Sequence, residues 1–297
     1  LNGSNVLKGL ALSIEERIYA EDPAYWMECI IGVKPDPWQK KVLESNELEI
    51  LLNNCRQSGK TETAAVKAGH TARYKEGTLA IVVSATQRQA GILQRRVTRF
   101  LGMANDDWQK LSSHWVNEYN EYEDKFKIVQ RSVLSLELAN SSRVVSVPAS
   151  PDTVRGYSPD LIIIDEAAFV GDAVYSAIRP MRAAKPVQLV VMSTPKGKMG
   201  FFYEEWISDD PVWLRIKVSA DDCPRINKDF LKREKEKLGK DFFEREYYNR
   251  FLEMEGAIFN QELIDSLFML REPEEEIARI HKADKIMIDP GGLEGWR

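Results

Sequence analysis

Gly59, Lys60 and Thr61 close the segment "NCRQSGKT" at residues 54–61. These residue types suit a phosphate cradle. Glycine lets the backbone approach an anion, lysine supplies a point charge, and a hydroxyl can hold a divalent cation. The full template carries glycine in its first position, where this chain has Asn54. Asparagine enters the left-handed backbone region more readily than most residues, so the departure is physically mild. Arg56, Gln57 and Ser58 fill the turn. On residue frequencies the tripeptide alone turns up in roughly one chain of this length in seven, so an ordinary strand-to-helix turn stands as the alternative.

Two adjacent carboxylates, Asp165 and Glu166, follow the apolar run of "LIIIDEAAF". Carboxylates ending a buried strand are costly unless a cation or a reacting water is present. In a P-loop enzyme Asp165 would hold Mg²⁺ together with the Thr61 hydroxyl, and Glu166 would polarise the attacking water. An N-cap pair starting the next helix is the alternative. A third apolar run, "VVMSTPKGK", puts Ser193 and Thr194 at the same edge, where hydroxyls can sense a γ-phosphate. Lys196 and Lys198 follow and could meet a polyanion, although Ser-Thr-Pro is also a common strand-ending turn.

The elements that must position these groups follow from the spacing of apolar residues. "LEILLNNC" (48–55), "TLAIVVSA" (78–85), "DLIIIDEAAFV" (160–170) and "PVQLVVMSTP" (186–195) read as buried parallel strands. Between them "TETAAVKAGHTARYKEG" (61–77) and "TQRQAGILQRRVTRFLG" (86–102) read as helices, the second ending at Gly102. "FKIVQ", "VLSLELA", "SRVVSVPA" and "VWLRIKVSA" are further strand candidates. The alternation predicts a three-layer αβα domain with a mainly parallel sheet. With the phosphate cradle, this is the arrangement of a RecA/ASCE-like P-loop NTPase.

The expected boundaries place the ATPase core at 1–220, a small helical lid at 221–256, a linker at 257–284 and the start of a further domain at 285–297. The lid expectation rests on the charged stretch "NKDFLKREKEKLGKDFFEREYYNRFLEMEG", which keeps aromatics and leucines at helical spacing. The chain carries a net charge of −5, which gives no support to a broadly basic surface but allows a few local arginines to grip phosphates. Its three cysteines, Cys29, Cys55 and Cys223, stand far apart in sequence and in no metal-ligand spacing. That pattern fits a reducing cytoplasm and argues against a disulfide framework or a zinc site. No apolar run is long enough for a membrane span, and the first residues lack a signal-peptide pattern.

Taken together, the order of motifs resembles the large terminase subunit of tailed bacteriophages, the motor that packages DNA into procapsids. "CRQSGKT" is similar to the family's P-loop variant, and "DPWQKKVL" to its adenine-recognising segment, which makes Gln39 the implied adenine reader and Trp38 a packing residue. "LIIIDEAAF" resembles its acidic strand and "MSTP" its coupling motif. "SPDTVRGYSPD" resembles the segment upstream of the acidic strand. "GAIFNQELID" and "IMIDPG" resemble the connection to, and the first strand of, an RNase H-like nuclease domain, with Asp289 as a metal-binding carboxylate.

The resemblance implies an ATPase using ATP and Mg²⁺, with Lys60 and Thr61 on phosphate and metal, Asp165 on metal and Glu166 as general base. Arg56 in cis and Arg155 from a neighbouring subunit compete for the role of arginine finger. A structural pairing of Arg155 with Asp160 or another carboxylate is the alternative. A nuclease needs several converging carboxylates, and only Asp289 is offered before the sequence ends, so no nuclease activity is expected of this chain. The implied partners are double-stranded DNA, a portal protein and a small terminase subunit, in a homo-oligomeric ring within the host bacterial cytoplasm. Arg88, Arg95 and Arg99 fall at spacings of seven and four and share one helix face, which could track a phosphate backbone or simply be solvated.

Two other functions compete. A helicase-like translocase would need a second motor domain, for which the residues after Ser208 are too few and too helical. A non-hydrolysing nucleotide-binding module would have little use for Glu166 beside a metal ligand.

Overall fold

The computed structural model describes residues 14–112 and 126–252. The expected linker and the segment holding Asp289 lie outside them. Eight strands form one sheet in the order β3-β4-β5-β2-β6-β7-β1-β8. In chain order they are β1 (Glu49–Asn54), β2 (Leu79–Ser84), β3 (Ile128–Arg131), β4 (Ser135–Leu138), β5 (Arg143–Pro148), β6 (Leu161–Asp165), β7 (Gln188–Ser193) and β8 (Trp213–Val218). All neighbours run parallel except β3–β4 and β4–β5, which make an antiparallel extension at one edge.

The central strands are continuously apolar because both faces are covered. Along β6, Ile163 packs into one core layer while Ile162 and Ile164 pack into the other; along β1, Ile50 and Leu52 oppose Leu51. The first layer holds helices α1 (Pro37–Glu44), α2 (Lys60–Tyr74) and α3 (Gln87–Ser112). Alanines on α2 allow close packing, and a methyl added at Gly69 would rest against Val97 and Leu101 of α3 at 3.7 Å. The opposite layer holds α4 (Asp172–Ile178) and α5 (Phe201–Ile207). Helices α6 (Lys228–Lys237) and α7 (Lys240–Tyr248) follow β8, and their Leu231 and Phe243 are buried in the first layer.

The second core helix continues past the expected stop at Gly102 to Ser112. Burial of Phe100, Leu101 and Ala104 carries the apolar stripe through that glycine, and packing outweighs its propensity cost. Among the described residues no helix is long and apolar enough to cross a membrane.

Parallel registration brings the chemistry to one edge. Asn53 pairs with Ser193, Asp165 with Met192, and Ser84 with Asp165, so the C-terminal ends of β1, β2, β6 and β7 lie side by side. Ligands of open α/β sheets bind beyond that edge.

Candidate nucleotide site

The turn between β1 and α2 is built around two left-handed residues. Gln57 has φ 62° and Gly59, which caps α2, has φ 96°. A Cβ on Gly59 would meet the Arg225 guanidinium at 2.9 Å and the Gln39 amide at 3.1 Å, so glycine is required for both backbone and space. Asn54 is not the left-handed residue that its place in the template led us to expect. It is the last residue of β1, buried, with both side-chain polar atoms unpartnered. Ser58 Oγ is likewise buried and unpartnered.

Lys60 reaches across this edge. Its Nζ donates to Thr194 Oγ1 at 3.0 Å and lies 3.1 Å from Glu166 Oε1. Thus the P-loop lysine, the second carboxylate and the third strand end meet in one cluster. Glu166 itself has φ 54°, a conformation that costs a residue with a Cβ about 1–3 kcal/mol and recurs at functional sites. Ser193 Oγ donates to Thr194 O at 2.7 Å and accepts from the Ala168 amide at 3.1 Å, which fastens the turn after Glu166 to β7.

Asp165 is buried, and its Oδ1 has no hydrogen-bond partner. Burial first, then the neighbouring Glu166 charge, push its carboxyl up to about 7. A buried carboxylate with a vacant oxygen fits a divalent cation, which would restore its ionised form. Thr61, on the first turn of α2, lines the cleft that Glu166, the neighbour of Asp165, also lines, and offers the hydroxyl the cation also needs. The residues present fit nucleotide-bound Mg²⁺.

The cleft has a volume of about 930 Å³ and is lined by Arg56, Gln57, Gly59, Lys60, Thr61, Glu166 and Arg225, among others. Its size is in the range of small-molecule sites. Gln39 does not line it. That side chain is fully buried; its Oε1 accepts from the Asp36 amide at 2.9 Å, and its Nε2 donates to Thr63 Oγ1 at 2.9 Å. In this state Gln39 braces α1 against α2. Trp38 is buried in the first core layer.

The two arginines in competition stand apart. Arg56 is at the cleft and ion-paired with Glu246 of α7. Arg155 is exposed, outside the cleft lining, and 3.6 Å from Asp152. That pair is the structural pairing with another carboxylate that the alternative reading allows; Asp160 itself is engaged elsewhere. It takes Lys185 at 2.6 Å and accepts the Leu79 amide at 2.8 Å, tying β2 to the start of β6. Arg88, Arg95 and Arg99 are all exposed along α3, and Lys196 lies over the Phe169 ring at 5.5 Å. Lys198 is half-buried, and its amide donates to Leu252 O at 3.2 Å.

Sequence reasoning missed three site residues. Arg225 bridges Asp36 Oδ2 at 2.7 Å and the Ser58 carbonyl at 2.5 Å, linking the segment after β8 to the phosphate loop. Arg96 lines the cleft and pairs with Glu62 of α2. Glu246 receives Arg56. Only Asp36 left a local signal, the D-P-x-Q capping box, which is present. The other contacts join residues 34 to 190 positions apart, which no local pattern encodes.

A strand-turn-helix cradle, an acidic strand end and a hydroxyl-bearing third strand on a parallel sheet define a P-loop NTPase domain. Comparison with known proteins narrows the class. The family described as terminase large subunit, T4-like-virus type, N-terminal, matches residues 51–266, and the chain belongs to it. It is 29% identical over 191 residues to the terminase large subunit of Thermus phage G20c, covering 59% of this chain and 36% of that protein. The large subunit of Thermus virus P23-45 is 28% identical over the same shares. The chain therefore spans little more than a third of the length of these relatives.

Among solved structures it is similar to the large terminase ATPase domain of Thermus phage P74-26 (TM-score 0.63, 22% identity, 78% of this chain and 99% of that one). It is also similar to the HK97 bacteriophage large terminase (TM-score 0.61, 18% identity, 78% and 55%). A third relative in fold is the large terminase of a thermophilic bacteriophage in complex with ADP (TM-score 0.54, 15% identity, 73% and 54%). At these identities the likeness establishes the fold.

Proposed function

We propose that this domain is the ATP-hydrolysing motor of a viral DNA-packaging terminase. The observation that carries the reading is the meeting of Lys60, Glu166 and Thr194 beside the vacant Asp165 oxygen. Lys60 is held by groups it must release when a phosphate arrives. Transfer of its charge to the nucleotide frees Glu166 to accept a proton from the attacking water, and the motion passes to Thr194 and β7. The Thr61 hydroxyl and Asp165 are the groups that would hold a nucleotide-bound Mg²⁺, which would supply charge neutralisation on the phosphates. Arg56, at the cleft, and Arg155, exposed and outside it, are the two candidates for the arginine finger, the first in cis and the second in trans across a ring.

Family membership supports double-stranded DNA as the moved substrate, a portal protein and a small subunit as partners, and the host bacterial cytoplasm as the compartment. Along α3, the exposed Arg88, Arg95 and Arg99, with Lys196 and Lys198 after β7, are the proposed DNA-facing cations. The domain division into core, lid and following nuclease segment is part of the same proposal.

Steady-state ATPase assays with Mg²⁺, with and without double-stranded DNA, test the reading. Stimulation by DNA is expected. Turnover indifferent to DNA in an assembled ring would favour a nucleotide-driven function other than packaging.

A further inference from the structure

Cys55 and Cys223 are separated by 168 residues in sequence, yet their sulfurs lie 3.9 Å apart. Both are unbonded thiols and both are buried. Cys55 is the first residue after β1, at the root of the phosphate loop; its amide donates to Val218 O of β8 at 2.9 Å. Cys223 closes the short helical turn Ala220–Asp222 and stands two residues before Arg225, the side chain that bridges Asp36 and the Ser58 carbonyl. The thiol pair thus sits where the phosphate loop and the segment carrying Arg225 are already stitched together. A disulfide has its sulfurs about 2.05 Å apart, so closure asks for roughly 2 Å of combined movement.

We propose that Cys55 and Cys223 are a redox-sensitive lock, oxidised by peroxide-class oxidants to a disulfide that fastens the phosphate loop to the Arg225 segment and stops nucleotide turnover. The functional half of this rests on the nucleotide-site reading above; the bond itself does not. The hydrogen bond to Cys223, in which either sulfur could donate, and burial push the Cys55 thiol well up. The same hydrogen bond holds the Cys223 thiol below its ordinary value, and the thiolate is the reacting form.

In the first step the Cys223 thiolate attacks one oxygen of hydrogen peroxide and becomes a sulfenic acid. The departing hydroxide takes up a proton and leaves as water. Cys55 then gives up its proton and attacks that sulfur, displacing the hydroxyl, which leaves with the proton as a second water. Two thiols are oxidised by two electrons, and one peroxide becomes two waters. Both sulfurs are buried, so a small oxidant would reach the pair only on local opening of the surrounding structure. In a reducing compartment the thiols persist, so the lock is open by default.

The lock would act by joining two parts that must adjust separately. Arg225 lies against Gly59 and lines the cleft together with the phosphate loop, so a nucleotide there would touch both segments, and their adjustment around it is the movement the lock would restrain. A covalent tie at their roots opposes that movement, and conformational steps of this kind often limit turnover.

The test uses the whole chain with the exposed Cys29 changed, Cys29→Ser, so that two thiols remain. Native protein is treated with hydrogen peroxide, then analysed by intact mass, thiol titration, ATP binding and turnover. The expected result is loss of two hydrogens, loss of both thiols without dimer formation, and a fall in turnover of about tenfold or more. Dithiothreitol restores it, and a further Cys223→Ser change abolishes the effect. Thiols that survive peroxide under native conditions would overturn the proposal. So would a disulfide that forms while ATP affinity and turnover stay unchanged. If the reduced protein neither binds nor hydrolyses ATP, the nucleotide-site reading fails, and the inhibitory half of the proposal falls with it. The mass measurement would still decide the bond.

Discussion

Asp165 and Glu166 are neighbours in sequence, yet their surroundings differ. Asp165 is buried and pushed up to about 7, while Glu166 keeps a quarter of its side chain exposed and faces Lys60. A buried carboxyl raised this way binds a proton more readily in the folded protein than in the unfolded chain. Without ligand, its contribution to stability therefore falls as pH rises from about 4 to 7, because the folded state must then hold an unpaired charge. Cation binding has the opposite sense, since the metal takes the carboxylate. Below pH 7, affinity for Mg²⁺-ATP should weaken by about tenfold per pH unit, and Asp165→Asn should flatten that slope while weakening binding. Fluorescent-nucleotide titrations between pH 6 and 8 check both. The residue types and order of this site were legible in the sequence, because each sits at the end of an apolar run. The reason given for Asn54 was not legible: the left-handed turn belongs to Gln57 and Gly59, and strand pairing keeps Asn54 extended.

The elements are held in position by buried polar groups as well as by the apolar layers. Lys67, in the middle of α2, is buried and donates to the Val42 and Leu43 carbonyls at 3.0 and 3.3 Å, capping the last turn of α1. Burial lowers its ammonium to about 8. Changing Lys67→Ala leaves two helix-end carbonyls without a donor and a cavity beneath them. We expect about 2–4 kcal/mol of lost stability, measured by urea unfolding, together with weaker ATP binding because α1 carries the brace to α2.

Such a lysine looks in sequence like one more charged helix residue, so its role could not be read there. The strands could be read, since burial on both faces leaves them continuously apolar. The reach of α3 beyond Gly102 could not, because tertiary packing decided it. Arg225 was hidden for the same reason as Lys67: its partners at Asp36 and Ser58 are brought near only by folding.

At the scale of the whole molecule, one chain brings lysine, carboxylates and hydroxyls to a single sheet edge but leaves Arg155 outside the cleft. If Arg155 completes a neighbour's site, Arg155→Ala should reduce turnover of the assembled ring by about 10³-fold or more while leaving ATP binding intact. Mixing Arg155→Ala with Glu166→Ala subunits should then restore part of the activity, because some interfaces pair an intact Arg155 with an intact Glu166. Arg56→Ala should show no such rescue with Glu166→Ala, since both changes affect groups at the same cleft. This division between a self-contained phosphate site and an outward arginine was visible in the motif order only through family resemblance. The place of Arg56 inside the phosphate-loop motif pointed inward, whereas spacing alone gave no sign of where Arg155 faces.

The central claim is that Lys60 and Glu166 belong to a hydrolytic site and not to a passive nucleotide cradle. The most direct measurement is Mg²⁺-ATP turnover of the wild-type chain beside Glu166→Ala, with ATP affinity measured on both. Loss of turnover by about 10²–10⁴-fold, with affinity within a few-fold, is the predicted result for removal of a general base. Equal, measurable turnover in the two proteins would contradict the account.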